Sequence, residues 1–285
     1  MRALLPFLAS RLLRAAIALW LVSTVVFVVM RLSGDPVPLL LPPDAPRSEI
    51  FRVRAELGLD RPLPVQYAVF VGNILRGDFG RSIHFRQPAL QVVLGYLPAT
   101  LELGLTAFVL AALVALPIGV LSAVRRNSVI DQAAMGLALV GQSAPTFFIG
   151  ILLILIVSLK LGLLPTSGRG DWHNLALPAL TLGAFAMASI ARLTRSAVLE
   201  VLRADYVRTA RAKGVSEALV VAKHTLKNAA VPIVTITGLQ FGTLLGGAVV
   251  TETVIAWPGI GRLAIQSIYN RDYPVVQCIA FLSAG

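Results

Sequence analysis

A short polar segment between two apolar stretches contains the residues of this chain best suited to bind another molecule. The segment reads Asp205-Tyr-Val-Arg-Thr-Ala-Arg-Ala-Lys-Gly214. Asp205 is a favourable N-cap, and the cations Arg211 and Lys213 suit the negative end of a helix dipole. Glycine is the expected residue just after a helix, which assigns that position to Gly214. The pattern predicts a helix of about two turns, Tyr206 to Lys213, with a basic surface.

Two interpretations of this helix follow from its charge. An interfacial helix would bring its arginines to lipid headgroups, whereas a docking helix would present them to a soluble partner. A second helix, capped by Ser216 and running from Glu217 to near Lys227, is predicted to lead into the next apolar stretch. Because a lipid-bound segment needs no cap and stop at each end, the sequence favours docking. The predicted docking residues are Asp205, Tyr206, Val207, Arg208, Thr209, Ala210, Arg211, Ala212, Lys213 and Gly214.

Catalytic, metal-binding and nucleotide-binding motifs are not found in the sequence. No lysine follows a glycine, so a Gly-x-x-x-x-Gly-Lys-Ser/Thr loop for nucleotide phosphates is excluded. His84, His173 and His224 lack the spacing of metal ligands, and no Gly-x-Ser-x-Gly elbow occurs. The single cysteine, Cys278, excludes an intrachain disulfide. We therefore expect a chain that is not an enzyme and has no metal site or cofactor of its own.

Composition indicates an integral membrane protein. The 285 residues are 56% hydrophobic and 14% charged, and the mean hydropathy is +0.80. Soluble domains contain about 25% charged residues. The net charge of +11 does not indicate nucleic-acid binding, because the basic residues lie mainly between apolar stretches, where membrane topology accounts for them.

Five apolar stretches are long enough to cross a bilayer. The first is expected to be a retained anchor, because no small-x-small cleavage site follows Met30. Too few residues follow Pro274 for a complete sixth span, which we expect to be truncated. The predicted fold class is an all-α polytopic membrane protein with six transmembrane helices. The five complete spans are 12–30, 98–124, 133–159, 175 to about 190, and 229–250.

Lysine and arginine residues set the expected orientation. They are concentrated at the N-terminus, after the second span and in the segment 192–230, so these parts are predicted to face the cytoplasm. The stretch 33–97 is predicted to form a helical domain on the outer side. Its first helix, Arg47 to Leu57, should be opened by Ser48 and stopped by Gly58, and its second should run from Leu63 to Leu75. The predicted division is 1–32, 33–97, and a core 98–285 that contains the loop 192–230.

A few residues within the spans suggest a polar pathway or helix contacts. Carboxylates in a span are pathway candidates, although both expected here lie near the outer helix ends, within reach of water or a partner chain. Proline should interrupt the helices at Pro117 and Pro145, which makes the polar residues before Pro145 candidates to line a cavity. Glycines four residues apart allow close helix contact, either within this chain or with another. The pathway candidates are Glu102, Gln142, Ser143 and Glu252, and the glycines are Gly238, Gly242 and Gly246.

The segment 205–214 resembles the cytoplasmic loop of ABC-importer permeases. Only Ala210, Gly214 and Leu226 match the general motif of that loop, but the residues of 205–214 and 223–228 are typical of dipeptide, oligopeptide and nickel permeases. Further matching blocks occur in the same order over nearly the whole chain. They are Gly34-Asp-Pro36, Leu57-Gly-Leu-Asp60, Gly77-Asp-Phe-Gly80, Leu97-Pro-Ala-Thr-Leu-Glu102, Ala191-Arg-Leu-Thr-Arg-Ser196, Trp257-Pro-Gly259 and Arg271-Asp-Tyr-Pro274.

This resemblance implies a type I importer fold in a bacterial or archaeal cytoplasmic membrane. It implies a second homologous permease, two cytoplasmic ATPase subunits that hold ATP and Mg, and an extracytoplasmic substrate-binding protein. The helix 206–213 would be the coupling helix that contacts one ATPase. The implied cargo is a dipeptide or short oligopeptide, while glutathione, nickel chelates and sugars stay open. An ion-coupled secondary transporter is the alternative class, but no paired inverted repeat is evident.

Overall fold

The computed structural model describes residues 4–32, 34–35, 37–42 and 44–284. Within these ranges the only strand-type pairing is an isolated antiparallel bridge between Arg81 and Pro88. The predicted all-α class is therefore confirmed. The helices are α1 Leu4–Leu32, α2 Val37–Leu40, α3 Arg47–Glu56, α4 Leu63–Ile74, α5 Ala89–Val124, α6 Val129–Ser143, α7 Thr146–Leu153, π1 Ile154–Lys160, α8 Trp172–Leu202, α9 Asp205–Ala212, α10 Glu217–Leu219, π2 Val220–Thr225, α11 Leu226–Val254, α12 Ile260–Tyr269 and α13 Tyr273–Ala284.

Two single helices, α5 and α8, are long and apolar enough to cross a membrane. Two bent pairs also qualify: Val129–Ser143 with Thr146–Lys160, at 110°, and Glu217–Leu244 with Gly246–Val254, at 50°. The described residues thus contain up to four candidate spans, which cover the second to fifth predicted stretches. The apolar parts of the first and last, Leu13–Val29 and Tyr273–Ala284, are shorter.

Proline has different effects in two of these spans. Pro145 breaks its helix as predicted, because the preceding Ala144 is extended, with φ −77° and ψ 132°. The prediction that Pro117 interrupts a helix is wrong, since α5 is continuous through it. The fixed φ of proline is close to the helical value, so a long helix can accommodate it when packing holds both sides. The fourth span extends well past Arg192, to Leu202.

The outer stretch contains the two predicted helices, with one correction. Pro46, not Ser48, occupies the N-cap of α3, so the expectation that Ser48 opens this helix is wrong. The restricted φ of Pro46 sets the point where the backbone changes from extended to helical, and no side chain forms a capping hydrogen bond there. Gly58 follows α3 with φ +65°, the left-handed conformation that favours glycine, and α4 begins at Leu63 as predicted.

The chain folds into two compact units, one formed by 1–98 with 262–285 and the other by 99–261. The predicted three-part division stays a prediction, and these units cut across it. In the first unit, the Arg271 guanidinium donates to the Asp35 carbonyl oxygen at 3.3 Å, and the Tyr273 hydroxyl donates to the Gly34 carbonyl oxygen. Burial alone would raise the pKa of Asp35, but the Val37 N–H and the Arg54 guanidinium hold it below its usual range.

Asp272 forms a second set of long-range hydrogen bonds in the first unit. Its buried carboxylate accepts hydrogen bonds from the Ser82 hydroxyl at 2.5 Å, the Ile83 N–H at 3.1 Å and the His84 N–H at 3.2 Å. A buried carboxylate needs such donors to offset its lost hydration. These bonds fasten the loop 81–88 to the segment that joins α12 and α13.

The second unit is built on α8, which packs against α6, α7 and α11. Leu103, Leu177, Ile190 and Trp257 are among its most buried side chains. Helices α5 and α8 approach closely at Gly119, where an added Cβ would lie 2.6 Å from the Ala191 carbonyl oxygen. Only glycine permits this close contact of α5 with the backbone of α8 at Ala191.

Candidate functional site

One apolar face of α9 packs against the rest of the second unit. Val207 and Ala210, three residues apart and so on one side of the helix, are buried and pack with Val220 of π2. The opposite side faces outward: Tyr206 is 45% exposed, and the Arg208 side chain is 73% exposed. A short helix with a fixed inner face and a basic outer face thus lies where the sequence predicts one.

The C-terminal end of α9 is a Schellman motif. The Gly214 N–H donates to the Arg211 carbonyl oxygen at 2.9 Å, and the Val215 N–H donates to the Ala210 carbonyl oxygen at 3.3 Å. Gly214 has φ +76°, and Val215 packs against the buried face of α9. These bonds satisfy carbonyl groups at the helix end, so the glycine stop agrees with its prediction.

Arg211 also forms an ion pair across this turn. Its Nε and Nη2 atoms donate to the Glu217 carboxylate at 3.0 and 2.5 Å. The hydrogen bond to Glu217 raises the pKa of the Arg211 guanidinium, with partial burial acting in the opposite sense. The pair joins α9 to α10 across Gly214, so the angle between the two segments is fixed by both backbone and side-chain contacts. Glu217 was missed as a partner because sequence spacing across a turn does not show which side chains meet.

Of the two predicted caps, Asp205 differs from the structure, whereas Ser216 occupies its predicted N-cap position. Ala204 occupies the N-cap of α9, and Asp205 is its first residue with a 96% exposed side chain, 3.5 Å from Arg208. The expectation that Asp205 caps the helix is therefore wrong, although its carboxylate still lies at the positive end of the dipole. Ser216 occupies the next N-cap position without a side-chain hydrogen bond.

The helix after Ser216 leads into the fifth span, as expected, and has no break near Lys227. It continues from α10 through the wide turns of π2 into α11, which reaches Val254. A π segment absorbs an extra residue without a break, and such segments are frequent at functional sites. As a consequence, α9 is joined through the turn at Gly214 to the helical segment Glu217–Leu244, which precedes the 50° bend of this span.

The two carboxylates predicted as pathway candidates, Glu102 and Glu252, have different surroundings. Glu102 is paired with Arg169, at 3.0 Å to Nε and 2.6 Å to Nη2, and is 39% exposed. Glu252 is fully buried, and its carboxylate accepts a hydrogen bond from Thr100 at 2.7 Å. The expectation that water or a partner can reach Glu252 is wrong for this chain, because Gly259 packs directly against the carboxylate. That packing explains the glycine of the Trp257-Pro-Gly259 block.

Gln142 and Ser143 lie at the 110° bend before Pro145, where Ser143 is exposed. Their role in a pathway stays a prediction. The three predicted contact glycines, Gly238, Gly242 and Gly246, lie in α11. Within the described part of the chain, an added Cβ at any of them would meet no atom within 4 Å. Packing of these glycines against other described residues of this chain is therefore not observed.

An ion pair between α6 and α8 was missed by the sequence analysis. Arg195 donates to both carboxylate oxygens of Asp131, at 2.6 and 2.7 Å, and Asp131 is buried. Asp131 also accepts the Asn127 N–H at 2.9 Å. A sequence signal was present, since Arg195 lies in the block Ala191-Arg-Leu-Thr-Arg-Ser196, and Asp131 in the first turn of a helix capped by Ser128. The pair fixes the helix that precedes α9.

Metal-binding groups of side chains are not found in the described part of the chain. No group of three His, Cys, Asp or Glu residues suitable for a metal ion occurs among the described residues.

Comparison with known proteins places these features in a family. Residues 115–285 match the model for the binding-protein-dependent transport system inner membrane component, and residues 4–104 match the model for the N-terminal part of such components. The chain belongs to this family of inner-membrane transport components. Specifically, it is an ABC-importer permease of the peptide-permease family, as the sequence blocks indicated.

Relatives and solved structures agree with this assignment. The glutathione transport system permease proteins GsiC of Salmonella typhi and Escherichia coli K12 are both 46% identical to the chain, over 98% and 96% of it and 92% and 90% of their own lengths. An inward-facing MetNI methionine ABC transporter has a TM-score of 0.55 at 22% identity, over 68% of this chain and 90% of that one. An amino acid ABC transporter structure with histidines has a TM-score of 0.54 at 21% identity, over 68% and 86%. These structures support the type I importer-like fold.

Gly214 offers a first test of the turn after α9. Because a Cβ there would meet no described atom within 4 Å, Gly214→Ala adds only the cost of a left-handed L-residue, about 1 kcal/mol. We expect the Val215 amide to exchange hydrogen about fivefold faster, measured by hydrogen–deuterium exchange on the purified importer. Gly136→Ala is the matched control, since Gly136 is helical and equally unobstructed. Unchanged exchange at Val215 would contradict the strain argument.

Proposed function

We propose that this permease is one half of the translocation pathway of an ATP-driven importer for dipeptides or short oligopeptides, and that α9 docks on a cytoplasmic ATPase. The observation that supports this most directly is the construction of α9. Its inner face is buried through the side chains of Val207 and Ala210, and the helix ends at the turn formed by Gly214. Its outer face is basic and exposed. A rigid attachment on one side and a free polar surface on the other suit a segment that transmits movement.

The energy for transport would come from the partner subunits. The sequence contains no phosphate-binding loop, so we assign ATP and Mg to the two ATPases and no nucleotide site to this chain. The concentration of basic residues in 192–230 and near Arg11 and Arg14 supports a cytoplasmic N-terminus and a cytoplasmic α9. The second permease and an extracytoplasmic binding protein complete the proposed assembly, and the open glycine face of α11 suits contact with the second permease.

A second cargo is favoured by a specific observation. The relatives at 46% identity are named as glutathione transport permeases, and glutathione is itself a short peptide. We therefore propose the peptide class, with glutathione as the first member to compare against dipeptides. Selectivity in such an importer would rest largely with the binding protein, which is a separate chain.

Reconstitution tests the proposed function. The tagged chain is co-expressed with a sister permease, ATPases and a binding protein of such an importer from the same organism, purified, and placed in proteoliposomes. We expect two ATPases and one sister permease to co-purify, and uptake of labelled dipeptide or glutathione to require ATP and the binding protein. Uptake by this chain alone, driven by an imposed ion gradient without ATP, would overturn the proposal in favour of a secondary transporter.

A further inference from the structure

A small polar pocket of about 170 Å³ lies in the first unit, beside the C-terminal end of α1 and along one side of α4. It is distinct from α9, from the pathway candidates and from the glycines of α11. Its volume is below about 300 Å³, the lower limit typical of ligand sites, so it suits one small polar group. Its lining residues with charged or amide side chains are Arg31, Arg61, Gln66, Asn73 and Asp78.

Two buried polar atoms of the residues that line this pocket have no hydrogen-bond partner among the described residues. They are the Nε atom of Arg31, a donor, and the Oε1 atom of Gln66, an acceptor. The Gln66 amide is held by its other end, since Nε2 donates to the Leu59 and Arg61 carbonyl oxygens at 3.3 and 2.7 Å. Buried polar atoms in folded proteins are nearly always paired. The pocket therefore suits an occupant that accepts a hydrogen bond from Arg31 and donates one to Gln66.

The charged side chains of the pocket have opposite signs and are not paired with each other. Within the described residues, none of Arg31, Arg61 and Asp78 belongs to an ion pair. The Arg31 guanidinium is held over the Phe27 ring, 5.2 Å from its centroid. One Asp78 carboxylate oxygen accepts the Gly80 N–H at 2.8 Å. A zwitterion with its anionic group at the arginines and an ammonium group at Asp78 would satisfy both signs of charge.

An apolar cavity of about 350 Å³ lies on the same two helices. Its α1 residues share one side of the helix with Phe27 and Arg31, because successive members of this row are three or four residues apart. Trp20 and Leu75 at this cavity are 54% and 82% exposed, so the cavity is accessible from the surface of the chain. Its lining residues include Ala16, Trp20 and Ser23 of α1 and Val71, Ile74 and Leu75 of α4.

A phospholipid matches this arrangement of a polar pocket and an apolar cavity. The apolar part of α1, Leu13–Val29, corresponds to the first predicted span, and a rise of 1.5 Å per residue places Trp20 about 16 Å from Arg31 along the helix. That distance is close to half of the roughly 30 Å hydrocarbon core of a bilayer. A headgroup at Arg31 would therefore bring an acyl chain of the same molecule to the cavity at Trp20. A free dipeptide is also a zwitterion, but it would leave the apolar cavity unfilled.

We propose that the polar pocket binds the headgroup of a phosphatidylethanolamine molecule whose acyl chain occupies the apolar cavity. Arg31 and Arg61 donate to the phosphate, while Asp78 and Gln66 accept from the ammonium group. Phosphatidylcholine has no N–H donor for Gln66, and phosphatidylglycerol has no positive group for Asp78. The bound lipid would join the end of α1 to α4. The inference goes beyond the proposed function, since it depends neither on the cargo nor on the ATPase contact.

Native mass spectrometry tests which lipid binds. The tagged full-length chain is purified with the subunits that accompany it, stripped of lipid by detergent exchange, and incubated with phosphatidylethanolamine, phosphatidylglycerol or phosphatidylcholine. We expect phosphatidylethanolamine to bind about fivefold more tightly than the other two, because it alone offers N–H donors of a positive group to Gln66 and Asp78. Equal binding of the three lipids would overturn the inference and indicate that the pocket holds water alone.

Two variants separate the pocket from general contact with lipid. Arg31→Gln is expected to raise the Kd for phosphatidylethanolamine about tenfold, because it removes a buried charge-assisted donor of the phosphate. Asp78→Asn is expected to raise it about threefold, since the Asp78 side chain is exposed and water screens its charge. Arg76→Gln is the matched control, an exposed cation of the same unit that does not line the pocket, and should leave Kd unchanged. The exposed position of Asp78 keeps the test valid if Arg31→Gln does not fold, and a wild-type Kd in Asp78→Asn would contradict the proposed contact.

Competition identifies the source of the occupant. Soluble phosphoethanolamine and a free dipeptide are added separately, each at the concentration of the lipid, and we expect neither to displace it because neither fills the apolar cavity. Displacement by phosphoethanolamine would show that the acyl chain takes no part, and displacement by the dipeptide would assign the pocket to cargo. Either result would overturn the inference.

The lipid test and the reconstitution fail independently. If the chain purifies without ATPases but still prefers phosphatidylethanolamine through Arg31 and Asp78, the proposed function is overturned and the lipid site stands. If ATP-dependent uptake is observed and no lipid preference is found, the lipid site is wrong and the proposed function stands.

Discussion

Arg211→Glu is expected to lower ATP-dependent peptide uptake about five- to tenfold while the importer still assembles in the membrane. The substitution replaces the ion pair at 2.5 and 3.0 Å by two facing carboxylates, because the introduced glutamate would lie beside Glu217. Since the Arg211 side chain is 40% exposed, water screens the repulsion, and its cost is about 1 kcal/mol rather than the several expected in a dry interior. About 1 kcal/mol corresponds to roughly a fivefold shift toward an opened turn between α9 and α10, so under the proposed function ATPase movement would reach α11 less effectively.

The measurement is the ratio of peptide transported to ATP hydrolysed in proteoliposomes. The charge-swapped variant, Arg211→Glu with Glu217→Arg, restores the pair with reversed polarity and should recover at least half of the lost ratio. Arg208→Glu provides a control for charge alone, because Arg208 has only a loose contact of 3.5 Å with Asp205 and takes no part in the turn. If the swap recovers nothing and Arg208→Glu is as damaging as Arg211→Glu, α9 acts by surface charge and not through this pair.

The helix in 205–214 could be predicted because the residues that specify its ends are close together in the sequence. The cations Arg211 and Lys213 at the helix end and the glycine after them are visible in the sequence, and Gly214 has the left-handed conformation that ends the helix. Caps were less predictable: Ala204 and Pro46 start their helices by backbone geometry, although Asp205 and Ser48 are better cap residues. Propensity is a weak guide where tertiary contacts already fix the backbone.

Long-range polar contacts could not be predicted from the sequence. Asp272 and Ser82 are separated by 190 residues, and Thr100 and Glu252 by 152, so no local pattern pairs them. The resemblance did mark two of these four positions, Thr100 and Asp272. The blocks at 97–102 and 257–259 meet around Glu252, and those at 34–36 and 271–274 meet around Asp35. Sequence blocks that seemed independent are thus the two sides of shared contacts. No sequence pattern predicted the π-helical segments π1 and π2.

Asp131→Ala is expected to have the largest effect on stability. It leaves the Arg195 guanidinium, whose side chain is only 22% exposed, without its bidentate partner, and leaves the Asn127 N–H without an acceptor. Removing one member of a buried pair costs about 3–5 kcal/mol, and partial exposure of Arg195 favours the lower end. We expect a markedly lower thermal midpoint of the purified importer and a reduced amount of assembled complex, measured by fluorescence-detected size-exclusion chromatography after heating.

A double substitution separates this electrostatic cost from a general loss of packing. Asp131→Leu with Arg195→Met removes both charges and keeps apolar volume, so it should recover most of the lost stability, because no buried charge remains unpaired. Glu102→Ala is the matched single control: its pair with Arg169 is 39% and 43% exposed, so its loss should cost about 1 kcal/mol at most. A double variant as unstable as Asp131→Ala would show that the site depends on packing or on the Asn127 contact, and that the charge pair contributes little to holding α8 against α6.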